Sequence, residues 1–167
     1  MSETQAKLDP STFGFFLVAV VALPLALANL LEKGGPTGQF FLVIGLLIFL
    51  VGVWAWKCNA NFGFTVFGLV GAAVFLTGYG MGYWENISFA IFFAFATAWS
   101  VMIGAGKNLT LILVVTSLLF FFVGFSSADL IGGDYWRWLI GIDALVLYVL
   151  AFYMGCSCAA PEKFKPF

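Results

Sequence analysis

An all-α membrane protein with six transmembrane helices is the fold class this sequence predicts, and three observations predict it. Charged side chains make up only 9% of the 167 residues while 63% are hydrophobic, against roughly 25% charged in a water-soluble domain. The apolar residues fall into six runs of about 17 to 21 residues, close to the roughly 20 that a helix needs to cross a bilayer core. The joints between runs are short and built from Gly, Pro, Asn and Lys, so successive helices turn back on one another and leave no room for a soluble domain. The chain divides into a tail over residues 1–10, a six-helix domain over 11–157 and a second tail over 158–167.

Each span has its own signals. Asp9-Pro10 opens the first, with a capping carboxylate and a proline at the first helical position, and the span runs from about Thr12 to Leu31 with Pro24 inside and Asn29 near its end. Glu32 to Pro36 turn the chain. The second span, about Gln39 to Trp56, carries no charge and ends on Trp54, Trp56 and Lys57, an interfacial anchor. The third, about Asn61 to Tyr79, follows Asn59 and Asn61, which are read as caps. Asn61, Thr65, Gly68 and Ala72 form a small stripe along it, which suits close approach of another helix. The fourth, about Asn86 to Gly104, has Ala90, Ala94 and Ala98 on one face, the simplest reading of which is a helix contact. Asn108 is placed as the cap of the fifth, about Leu109 to Phe125, which carries Thr110, Thr116 and Ser117. The sixth runs from about Tyr135 to Gly155. Two Asn-x-Ser/Thr triplets, at Asn86 and Asn108, abut spans and are read as chance.

The residue inventory excludes much chemistry. The chain has no histidine, hence no Ser–His, Cys–His or zinc-protease arrangement and no usual general base. An enzyme is not expected. Cys58, Cys156 and Cys158 are too few for a metal cluster without a further ligand, so neither metal nor cofactor is expected. A net charge of −1 gives no basic face for nucleic acid. Lys7, Lys57, Lys107, Lys163 and Lys165 fall on one side and only Lys33 and Arg137 on the other. That bias puts both termini in the cytoplasm of a cell-membrane protein. Asp143 is the acid inside a span, and an aspartate at mid-bilayer costs about 2.5–3.5 kcal/mol. It is the candidate for proton coupling, against the simpler reading of an acid hydrogen-bonded to a neighbouring helix.

Two motifs then carry a resemblance. Asp9-Pro10-Ser11-Thr12-Phe13-Gly14-Phe15 is similar to N-P-A-P-L-G-L, and Asn59 to Gly71 is similar to G-N-T-F-G-x-T-A-F-x-S-Y-G, with Phe62, Gly63, Thr65, Phe67 and Gly71 in register. Ala144 and Tyr148 add a weaker match in the last span. The chain thus resembles the acetate uptake transporters, the succinate–acetate permease family. That resemblance implies a homohexameric ring with one substrate path per protomer, carrying acetate and similar small monocarboxylates as a proton-coupled transporter or an anion channel.

The family narrows its path with a phenylalanine, a tyrosine and a leucine, where this chain has Val18, Val70 and Ser117. Smaller residues widen the path unless Phe16, Phe67 or Phe120 fills it. The register implies a path along Gly63, Phe67, Val70, Val74 and Thr77 on the third span, leaving the small stripe to packing. On the first span it implies Ser11, Gly14, Val18, Ala22, Leu25 and Asn29.

An anion in hydrocarbon needs donors, and helix N-termini supply them. The starts of spans one, three and five, at Asp9, Asn61 and Asn108, are expected to converge on an anion-attracting mouth, with Thr65, Thr116 and Ser117 as further donors. Two other readings stand: a small neutral-solute channel of the urea and amide type, and a membrane scaffold without transport.

Overall fold

The computed structural model describes residues 10–129 and 134–165; Asp9 and Lys7 lie outside them. The described residues form six α-helices: α1 Ser11–Leu31, α2 Gly38–Lys57, α3 Asn61–Thr77, α4 Tyr83–Met102, α5 Lys107–Ser127 and α6 Tyr135–Ala159. Five of them are long and apolar enough to cross a membrane. The exception, α3, has 17 residues, about 26 Å of helix. Large apolar side chains such as Leu50, Phe92, Phe95, Val101 and Val149 point outward, a surface that suits lipid rather than water. Three helices run two or more residues past the boundaries read from sequence, α5 among them from Lys107 to Ser127. α4 begins at Tyr83 and so places Asn86 inside its first turn, and α6 continues through Cys156 and Cys158 to Ala159.

α2 packs along α3, α1 along α6, and α4 along α5, while α5 also meets α6 and α1 meets α2. Phe62 of α3 touches Trp99 of α4 edge-on, with ring centroids 5.2 Å apart. The helices therefore close a ring in chain order. Neighbours alternate in direction. One end of the ring, the terminal face, holds the start of α1 and the end of α6; the other is the far face.

The α2–α3 seam is made of glycine. Gly38, Gly45 and Gly52 recur every seven residues on α2, the repeat that keeps a seam in register between two gently supercoiled helices. A Cβ added at Gly45 would strike the backbone of Phe75, and one at Gly71 would strike the backbone of Phe49. The backbones thus touch, as small residues permit in membranes. Of the small stripe of Asn61, Thr65, Gly68 and Ala72, Gly68 joins this seam, since a Cβ on Gly52 would strike its backbone, while Asn61 is exposed. On α4, Ala90 is buried but Ala94 and Ala98 face outward, so the contact face runs instead through Asn86, Ala90, Phe93 and Ser100.

Two turns on the terminal face correct the expected caps. Asn59 stands at φ 59° and its N–H reaches Trp56 O at 2.9 Å, while Ala60 N–H reaches Ala55 O at 2.9 Å. This pair of bonds closes the end of α2 around a left-handed residue, a place that Asn tolerates. Asn59 therefore ends α2 and does not cap α3. Gly104 at φ 67° closes α4 in the same way, with Ala105 N–H on Ser100 O at 2.9 Å. The N-caps of α1, α3 and α5 are Pro10, Ala60 and Gly106, and none makes a side-chain capping bond. Asn61 and Asn108 lie inside their helices.

Candidate functional site

The ring encloses a cavity of about 130 Å³. A dry apolar cavity of roughly 150 Å³ accepts benzene, so this one is sized for a few heavy atoms. All six helices contribute to its wall: Val18, Val21, Ala22 and Leu25 from α1, Phe41 from α2, Val70, Val74 and Thr77 from α3, Asn86 from α4, Thr116, Leu119, Phe120 and Val123 from α5, and Leu147 from α6, with Met81 of the α3–α4 turn. Small aliphatic side chains leave the space. The cavity occupies the far half, since Leu25, Thr77, Met81 and Asn86 all lie toward that end of their elements.

The terminal half is closed. The ring of Phe67 lies directly over Gly14, where a Cβ would come within 2.7 Å of Phe67 Cζ. The same ring meets Phe15 edge-on at 5.2 Å, and both phenylalanines are buried. Gly14 thus serves as the seat of an aromatic plug. Phe120 stands on the cavity wall, stacked on Phe93 with centroids 5.6 Å apart and planes 13° from parallel. Phe16 turns away to α6, against Gly155 and Phe152.

Three polar side chains reach the wall. Asn86 is 1% exposed; its Nδ2 donates to Gly82 O at 2.7 Å and Met81 O at 3.2 Å, and its Oδ1 has no hydrogen-bond partner among the described residues. The Thr116 hydroxyl donates to Ile112 O at 2.7 Å and the Thr77 hydroxyl to Ala73 O at 2.9 Å. A glycine makes room for Asn86: a Cβ on Gly124 of α5 would lie 3.2 Å from the Asn86 Cβ.

Of the residues singled out from sequence, Val18, Ala22, Leu25, Val70, Val74, Thr77, Thr116 and Phe120 stand together on this wall, and Gly14 and Phe67 meet beneath it. The others lie elsewhere. Ser117 donates to Ala90 O at 2.7 Å and ties α5 to α4. Thr65 bonds back to Asn61 O at 3.1 Å, and Asn61 is exposed at the start of α3. Gly63 lies against Ala55 and Ala60. Asn29 donates to Leu25 O at 2.8 Å and borders Gly141 of α6. Asp143, half-buried on α6, is outside the wall, and its Oδ2 has no hydrogen-bond partner among the described residues.

Two buried asparagines were undervalued in the sequence. Asn86 reads there as the start of a span, yet Asn86, Ala90 and Phe93 keep the i, i+4, i+7 spacing of a buried face. Asn108 reads as a cap but is 1% exposed with neither amide atom partnered among the described residues. Among the described residues there is no group of three or more His, Cys, Asp or Glu side chains that could hold a metal ion. No protein-family model matches this chain, and no curated protein sequence matches it.

Proposed function

We propose that this chain passes a small monocarboxylate, of acetate size, across a membrane through its central cavity. The cavity carries the reading: about 130 Å³ of space walled by six helices, in a bundle whose outer surface suits lipid. Acetate has four heavy atoms and fits where benzene would nearly fill the space. The apolar wall favours a cargo with a methyl group. The resemblance of residues 59–71 to the acetate uptake transporters supports the same cargo, and it supports a homohexamer with one path per protomer. The lysine bias supports a cell-membrane protein with cytoplasmic termini. The mechanism needs no catalysis, metal or cofactor. The cargo rests in the far half and reaches the terminal face when the Phe67 ring leaves Gly14.

A channel for small neutral amides is the second reading. It is favoured by one observation, the Oδ1 of the wall residue Asn86, which has no partner among the described residues and can accept a hydrogen bond such as an amide N–H would give.

Radiolabelled acetate flux into reconstituted vesicles across a pH gradient tests the proposal. Wild-type vesicles are expected to exceed protein-free vesicles, and Val70→Phe, which fills the cavity, is expected to lower that excess by about tenfold or more. Its cost of overpacking is about 1–3 kcal/mol. Wild-type flux equal to that of protein-free vesicles would refute the transport reading.

A further inference from the structure

The carboxylate reading does not say in which protonation state the cargo sits, and the polar atoms of the wall bear on that. The Asn86 amide can be oriented in only one way. Its nitrogen faces the carbonyl oxygens of Gly82 and Met81 at 2.7 and 3.2 Å, and carbonyls only accept, so the oxygen must face away from them. That oxygen is buried and unpartnered among the described residues, on a residue that lines the cavity. The hydroxyl protons of Thr77 and Thr116 are committed to Ala73 O and Ile112 O, which leaves these two side chains only lone pairs to offer. The wall side chains therefore offer three oxygen acceptors and no free donor.

A carboxylate in such a site would find no free side-chain donor and no cation to replace its lost water. We propose that the cavity holds its cargo uncharged, through a hydrogen bond that the cargo donates to Asn86 Oδ1. For a small monocarboxylate the bound form is the undissociated acid, and a small primary amide carries the same kind of donor. The inference rests on the cavity reading above and specifies its chemistry.

The wall itself contains no titratable side chain. Around it, Glu85 of α4 is exposed, Glu32 after α1 pairs with Arg137 of α6 at 2.6 Å, Asp129 after α5 is exposed, and Asp143 of α6 lies off the wall one turn before Leu147. The pH dependence of binding then belongs to the cargo.

Isothermal titration of the purified full-length protein with acetate and with acetamide, from about pH 5 to about pH 7, separates the outcomes. Expected is an apparent acetate affinity that falls about tenfold per pH unit above the acid's own pKa, beside an acetamide affinity that stays flat. Asp143→Asn is expected to keep both profiles. Asn86→Leu is expected to weaken both ligands by about tenfold; the wild-type profiles stand as a test even if that variant does not fold. Acetate binding that holds or tightens toward neutral pH, with acetamide silent, would overturn the donor assignment and leave the cavity reading in place. Binding of neither ligand at any pH would overturn the cavity reading, and this inference with it.

Discussion

The two halves of the bundle are built from the same kinds of side chain and use space in opposite ways. Toward the terminal face the gap left by Gly14 is filled by the Phe67 ring, with Phe15 edge-on beside it. Toward the far face the gap left by Val18, Ala22, Val70 and Val74 stays open. Both halves also bury an asparagine in the first turn of a helix, and these too differ. Asn86 spends its donors on two backbone carbonyls and keeps one oxygen without a partner among the described residues. Asn108 has neither atom partnered among the described residues. Side-chain size alone therefore does not decide where a membrane bundle is hollow. What decides it is whether a large ring on a neighbouring helix is aimed at the gap.

The comparison can be broken most forcefully at the plug. Phe67→Ala removes a buried ring, which costs about 3–5 kcal/mol, and it should join the cavity to the terminal face. Vesicles carrying it should leak small solutes faster than the wild type, and a lower melting temperature in detergent should report the packing loss. A stable variant with unchanged flux would show that the plug is not the barrier.

Asn108 allows the next-largest test. Replacing a buried amide that has no partners among the described residues by an apolar side chain of similar size removes a desolvation penalty of about 1–3 kcal/mol. Asn108→Leu should therefore raise the melting temperature. A lowered one would mean that water or a ligand satisfies this amide, and the two buried asparagines would then be more alike than they look.

The smallest effect belongs to the rim of the far half, where the Arg137 guanidinium meets Glu32 at 2.6 Å with the glutamate largely exposed. Exposed pairs of this kind are worth about 0.2–1 kcal/mol. Arg137→Gln should lower the melting temperature slightly in dilute buffer and by less in high salt, since salt already screens the pair.

The number of helices, their order and most of their ends could be read from the chain, because hydrocarbon imposes a length and a composition that local sequence must meet. Val18 and Val70, grouped in the sequence by the register of the resemblance, both line the cavity. The expected caps failed for a local reason. Asn59 and Asn61 are both plausible caps on paper, but Asn59 was needed in a left-handed turn to end α2. The role of Ser117 failed for a non-local one, since its hydroxyl is taken by Ala90 O on the neighbouring helix.

Sequence by itself determined a six-helix apolar chain without histidine chemistry, since periodicity, length and residue inventory are properties of the strand. Only the tertiary structure decided that Phe67 fills Gly14 while no described residue fills the space beside Val70, and that Asn86 keeps an oxygen rather than a donor unpartnered. Those are relations between helices, set by how each rotates about its axis when glycine seams and ring contacts lock together, and no single span encodes that rotation.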